Sequence, residues 1–328
     1  MKIGKLDSKL LEDLVFKNIT HKRPEVLERP GIGKDCAIID FGDYDCIMST
    51  DPITAAMSEI GRLAVHISCN DIATCGIEPL GIMLAVMLPE NTTEKQVEEL
   101  MKQAGQAAAE LNVEIIGGHT EITNAVVKPV IVSTAIGRRK KTGLALPRPI
   151  KPGDSILMTK YAGLEGTGII ASDYEDRLID VLSPAELREA KALLNQISVV
   201  SEGKIAGEIG VLAMHDITEG GVLGAVWEMC EIAGSGAELD EASIPVLAVT
   251  RKIGEHFKID HLKLISSGCM LIIASPEKKE AVIDAITAAR IPVCEIGIIK
   301  EEERILISNE RRIHILPPES DELYKVRP

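Results

Sequence analysis

Aromatic side chains are scarce: three Phe, four Tyr and one Trp make up 2% of 328 residues. So few rings cannot build a base-stacking platform. Basic charge is in deficit as well, with 36 Lys+Arg against 50 Asp+Glu and a formal net charge of -14. A nucleic-acid binder needs a basic face for phosphates, so that class is excluded. Long apolar runs are missing. The longest, Gly81 to Leu88, falls well short of the roughly 20 residues that span a bilayer. Met1 to Phe16 mixes Lys, Asp and Glu with its leucines, where a secretion signal would be apolar. No membrane association is expected. The seven cysteines (Cys36, Cys46, Cys69, Cys75, Cys230, Cys269 and Cys294) are odd in number and form no C-x-x-C. They signal neither a disulfide framework nor a structural zinc site, and read mostly as small buried hydrophobes in a reducing cytoplasm. A Walker A loop, a G-x-G-x-x-G fingerprint and a G-x-S-x-G elbow are also absent, which removes the commonest nucleotide and hydrolase motifs.

What is present is an aliphatic globular chain, 45% hydrophobic and 26% charged, outside the disordered range. Its length suits two domains, each with its own core. The boundary falls in Arg138 to Gly153, which holds four successive basic residues, three prolines and the turn signal Lys151-Pro152-Gly153-Asp154. The expected domains are residues 1–150 and 151–328. In the first, Cys46 to Thr50 reads as a strand ending before Asp51-Pro52, and Ser58 to Gly76 as a helix with an Ile60, Leu63, Ala64, Ile67 stripe. Thr93 and Gln96 form a capping box for a helix reaching Leu111. Val113 to Ile116 is a short strand halted by Gly117-Gly118, and Val126 to Ile136 is another. In the second, Ser155 to Thr159, Met270 to Ala274 and Pro292 to Ile299 read as strands. Helices are expected after the Ser183-Pro184-Ala185-Glu186 cap, over Glu219 to Ala233 and over Pro276 to Arg290. The fold class is mixed α and β.

Chemistry is expected from carboxylates set in glycine-rich or strand-end positions. Gly31-Ile32-Gly33-Lys34-Asp35 offers close backbone approach, a point charge and a cation ligand, or else is an ordinary surface turn. Asp51 is either a turn-initiating residue or a strand-end ligand. Asp71 continues the apolar stripe four residues beyond Ile67, so its carboxylate should point inward, where it needs a metal, a cation or several N–H donors. Asn70 beside it either positions a ligand or caps the helix. Gly117-Gly118-His119-Thr120-Glu121 presents three different polar groups after a double glycine. His215-Asp216-Ile217-Thr218-Glu219-Gly220-Gly221 opens a helix with two glycines, costly for a mere cap but suited to bare N–H groups facing phosphate. Gly163 to Gly168 is a further phosphate-like loop. Several carboxylates facing glycine loops suit Mg²⁺ bridging a polyphosphate.

Taken in order, the segments GIGKDCAII, STDPIT, GRLAVHISCNDIATCGIEPLGIMLA, IIGGHTEIT, KPGD, GLEGTGI and HDITEGG resemble the aminoimidazole ribonucleotide (AIR) synthetase superfamily. The later IPV and SSGCMLI segments fit too, so the resemblance covers nearly the whole chain. It implies an α+β, two-domain AIR synthetase-like architecture, with N-terminal strands joining across a homodimer interface and a C-terminal α/β sandwich. It also implies ATP in a cleft near that interface, with Mg²⁺ held by Asp35, Asp51, Asp71 and Asp216. Gly33, Lys34, Asp51, Asn70, Gly118, Thr120, Gly220 and Gly221 are then the nucleotide-facing positions, and His119 and Glu121 lie nearest the acceptor.

The pieces GRLAV, Asn70-Asp71 and HDITEGG look most like the hydrogenase-maturation (HypE) branch, which uses ATP to dehydrate a carboxamide carried on a C-terminal cysteine. Two departures stand out. The sequence finishes Tyr324-Lys325-Val326-Arg327-Pro328 without that cysteine, and His119 replaces the branch's usual acid, with Glu121 the nearest carboxylate. Imidazole is a poor magnesium ligand, so that corner is expected to differ. The leading expectation is an ATP- and Mg²⁺-dependent enzyme that activates an amide or carbonyl oxygen by phosphorylation. Its acceptor is small or protein-borne, and a maturation protein is the expected partner. The alternatives are a small-molecule kinase of the thiamine-monophosphate type, or a non-catalytic nucleotide-binding maturation partner.

Overall fold

The structure, a computed structural model, describes residues 4, 6, 8–54, 58–141, 148–318 and 320–326. Residues 142–147 of the expected linker, and Arg327 and Pro328 of the terminal run, lie outside the described residues.

The first half builds a sheet from β1 (Val26–Glu28), β2 (Ala37–Phe41), β3 (Tyr44–Ile53), β4 (Pro79–Leu88), β5 (Glu114–Ile122) and β6 (Val130–Lys140) in the order β1-β2-β3-β6-β4-β5. All neighbours are antiparallel except β4 and β5. A parallel pair needs a crossover, and helix α2 (Glu94–Glu110) supplies it, opened by Thr93 and Gln96 in a reciprocal capping box. Helix α1 (Ile60–Thr74) lies on this sheet and against α2. It is buried almost all round because its far side is covered by the second half.

Two strands differ from their expected limits. β3 continues through Asp51 and Pro52, pairing with Val132 and its neighbours on β6. Its partner β2 stops opposite Met48, so Pro52 sits where only one side of the strand is paired. β5 does not stop at Gly117-Gly118 but runs through both to Ile122, at φ 155° and 146°. The glycine is required by close approach: a Cβ on Gly118 would lie 1.9 Å from the Leu84 carbonyl oxygen.

The second half holds a sheet of β7 (Ser155–Thr159), β8 (Ala213–Asp216), β9 (Gly236–Asp240), β10 (Met270–Ala274), β11 (Val293–Lys300), β12 (Arg304–Ser308) and β13 (Arg311–His314) in the order β13-β12-β9-β11-β7-β10-β8. Its helices are α3 (Leu164–Asp173), α4 (Pro184–Ala192), α5 (Val200–Ile209), α6 (Gly221–Ala233), α7 (Ala248–Phe257) and α8 (Lys279–Ala288). The Ser183–Glu186 capping box and Pro184 open α4 as their spacing predicts. β7 and β10 are buried at every position, as central strands covered on both faces must be. Helix α1 packs against α5 and β8, so the two halves share a core. Among the described residues no helix is long and apolar enough to cross a membrane.

Candidate functional site

Four carboxylates from four separate elements converge where α1 meets the second half. Asp35 lies in the turn before β2, Asp51 near the end of β3, Asp71 in the last turns of α1, and Asp216 at the end of β8. Residues two apart on a strand share a face, which puts Ser49 beside Asp51. The Ser49 hydroxyl donates to Asp71 Oδ2 in a very short contact and lies 3.5 Å from Asp51 Oδ2. Asp71 is buried, and burial first, then the charges of Asp216, Asp51 and Asp35, push its carboxyl well above the ordinary range.

Beside them stands His215, 3% exposed. Its Nδ1 is 3.6 Å from Asp35 Oδ2 and 3.9 Å from Asp216 Oδ1, while Nε2 is 3.3 Å from Glu228 Oε2 on α6. Burial pulls the imidazole down, but Asp35, Glu228 and Asp216 together carry it up to about 9. One ligand atom from each of Asp35, His215 and Asp216 falls within 4.8 Å of the others. An imidazolium does not ligate, so His215 acts in this set as a fixed countercharge. The remaining donors are carboxylate oxygens, the set a hard divalent cation takes. Crowded acids, one of them strongly disfavoured as an anion, therefore fit Mg²⁺.

The other expected positions are placed differently. Asn70 ties both ends of its amide to the second half: Nδ2 donates to the Ile197 carbonyl at 2.8 Å, and Oδ1 accepts from the Val199 N–H at 2.9 Å. It clamps the two halves together from within α1, and the helix end is capped at Cys75 instead. The Lys34 ammonium pairs with Glu28. Gly33, at φ 68°, seats its turn against α6, where a Cβ would lie 2.7 Å from Ile232 Cδ1. The Gly220 N–H does not face open space; it donates to Asp321 Oδ2 at 2.8 Å. Gly221 permits close packing instead, since its Cβ would meet the Leu262 carbonyl oxygen at 2.5 Å. The Gly163 to Gly168 stretch is the buried start of α3, with Gly166 and Gly168 set against Leu264 and Leu194.

His119, Thr120 and Glu121 lie with Gly118 on β5, the sheet's edge strand. His119 and Glu121 pair with each other at 3.3 Å and are 71% and 48% exposed, so neither touches the carboxylate cluster within this chain. Ser49, His215 and Glu228 are the site residues that sequence reasoning missed. Alternation back from Asp51 points to Ser49, and His215 opens a segment already singled out, whereas nothing local marks Glu228.

Two domain models match the chain: AIR synthase related protein, N-terminal domain, over residues 33–139, and its C-terminal domain over residues 151–308. A Methanocaldococcus jannaschii protein named for hydrogenase expression/formation is 27% identical over 299 residues, covering 86% of this chain and 84% of its own. Carbamoyl dehydratase HypE of Rhizobium leguminosarum bv. viciae is 28% identical over 263 residues, covering 78% and 73%. A solved structure of hydrogenase maturation protein HypE in complex with ATP shares the fold, with a TM-score of 0.72, 22% identity and coverage of 98% and 97%.

Proposed function

Because the chain belongs to the AIR synthase related proteins, we propose that it is an ATP- and Mg²⁺-dependent enzyme that phosphorylates an amide or carbonyl oxygen and so activates it for loss or displacement. The observation that carries this reading is the convergence of Asp35, Asp51 and Asp216 on the buried carboxyl of Asp71, which burial and their charges disfavour as an anion. Bound there, Mg²⁺ would offset the charge of a polyphosphate and of the oxygens between which phosphoryl passes. The chain's own groups do the positioning. Ser49 orients Asp71 by its hydroxyl, and Glu228 and His215 fix Asp35 and Asp216 from behind. With orientation supplied in this way, little covalent chemistry is asked of the protein. The name of the Rhizobium relative supports a carboxamide-type acceptor.

A homodimer is part of the same reading. Leu80 and Met83 on β4 and Ile116 on β5 are all exposed, and bulges at Leu80 and at Ile116 bring the three to one face of the sheet. An apolar sheet face ending in an unpaired edge strand favours a second copy. There it would place His119 and Glu121 beside a partner. Calorimetry of ATP binding with and without magnesium tests the enzyme reading: affinity that requires magnesium is expected, and no binding with magnesium present overturns it. Product analysis refines it. ADP with free phosphate is expected, whereas ADP with a phosphorylated metabolite would replace this reaction with a kinase.

A further inference from the structure

Two of the seven cysteines, 39 positions apart and in no recognisable motif, meet beside the carboxylate cluster. Cys36 directly follows Asp35, and its Sγ lies 3.2 Å from the main-chain carbonyl of Asp71. That carbonyl is one helical turn before Cys75, the C-cap of α1. The Cys36 S–H is directed at that carbonyl, and the two thiol side chains interact directly with each other. Cys36 is buried, while Cys75 is half-buried and so offers the pair its access to solvent.

The other cysteines are unlike this pair. Burial pushes Cys69 and Cys269 up to about 12 and raises Cys46, Cys230 and Cys294 as well. Cys75 is held below its ordinary value by the neighbouring Cys36 side chain and, against burial, by the Arg139 guanidinium. Two thiols in contact, one of them held below its ordinary value, are the arrangement of a reversible redox pair.

We infer that Cys36 and Cys75 form a reversible disulfide that controls access of magnesium–nucleotide to the site. With hydrogen peroxide as the oxidant, the Cys75 sulfur attacks the O–O bond, giving a sulfenic acid and water. The Cys36 sulfur then attacks the sulfenic sulfur. The S–S bond forms, the S–O bond breaks, and the departing hydroxide leaves as water with the Cys36 proton. The two sulfurs lose two electrons and the peroxide gains them. A thiol reductant reverses the step by exchange.

The link has a mechanical consequence. To reach covalent distance the Cys36 sulfur must leave the Asp71 carbonyl, dragging the turn that holds Asp35 toward the end of α1. Asp35 and Asp71 then lose their mutual setting. This second part rests on the magnesium–nucleotide reading; the disulfide itself does not.

Native protein is treated with a small excess of hydrogen peroxide, alkylated under denaturing conditions, and mapped by peptide mass spectrometry. A Cys36–Cys75 cross-link that dithiothreitol removes, with the other five cysteines alkylated, is expected. Oxidation elsewhere without this link, or a link that dithiothreitol leaves intact, overturns the inference. ATP binding in magnesium is then compared by calorimetry. Oxidised protein should bind about 10- to 100-fold more weakly, the loss usual when groups that orient metal ligands are displaced. Cys75→Ser should bind equally before and after peroxide. Unchanged affinity in cross-linked protein overturns the control of access. Absence of binding in reduced protein overturns the magnesium–nucleotide reading instead, and leaves the cross-link to be judged by mapping alone.

Discussion

Replacing Glu165 with glutamine should make this protein more stable at alkaline pH. Glu165 lies in the first turn of α3, 4% exposed, with one oxygen accepting from the Ser267 N–H at 3.3 Å. Burial raises its carboxyl from 4.5 to about 8, and Glu219 and Asp321 add to the effect. The sign follows from proton counting. Between pH 4.5 and 8 the folded state keeps a proton that the unfolded chain releases, so stability falls as pH rises through this window and the full penalty stands above it. Roughly three and a half pH units at about 1.4 kcal/mol each give a penalty of about 5 kcal/mol. Glutamine cannot ionise, but it gives Ser267 a weaker acceptor, which costs about 1 kcal/mol.

The variant should therefore match wild type within about 1 kcal/mol at pH 5 and exceed it by about 3 to 4 kcal/mol at pH 8.5. Urea unfolding followed by tryptophan fluorescence reads this directly. The single tryptophan, Trp227, is 9% exposed on α6 in the same half as Glu165. Equal pH slopes for the two proteins, or a variant that is weaker at pH 8.5, would refute the reasoning.

Asp71→Asn removes a carboxyl that its surroundings disfavour as an anion; it should weaken magnesium–ATP binding about 100-fold by calorimetry while raising the thermal midpoint at neutral pH. Asn70→Ala strips both hydrogen bonds from the interdomain clamp and leaves the Ile197 carbonyl and Val199 N–H buried without it. A loss of about 2 to 4 kcal/mol in urea unfolding is expected, with little change in the ATP affinity of the folded protein. Ile116→Asp places a charge on the exposed apolar face at the edge strand, and analytical ultracentrifugation should show dimer converted to monomer without loss of folded structure by circular dichroism.

Local features were legible in the amino-acid order. The Thr93/Gln96 and Ser183/Glu186 boxes use neighbours three residues apart, so spacing alone names both helix starts. The inward direction of Asp71 follows from the stripe on α1, and the structure buries it. What stayed hidden depends on partners distant in sequence. Asn70 resembles a ligand residue until Ile197 and Val199 take its amide. Gly220 resembles a bare helix start until Asp321 takes its N–H. The double glycine in β5 resembles a strand end because glycine is poor in strands; its reason is the Leu84 carbonyl on a neighbouring strand. Cys36 and Cys75 carry no spacing signal, since a turn and a helix end bring them together.

The position of Asp216 also sets an order of events during synthesis. Asp35, Asp51 and Asp71 belong to the first half and can be gathered as soon as its sheet and α1 close. Asp216 and His215 sit on β8, an outer strand whose sheet partner is β10. β8 cannot be held in place before Met270 to Ala274 have left the ribosome. A chain that folds from its N-terminus therefore brings three acids together without the imidazolium that offsets them. The first half must wait in that state, open on the face of α1 that α5 and β8 later cover. Cation concentration during translation should thus affect the yield of folded protein more than it affects the stability of the finished molecule.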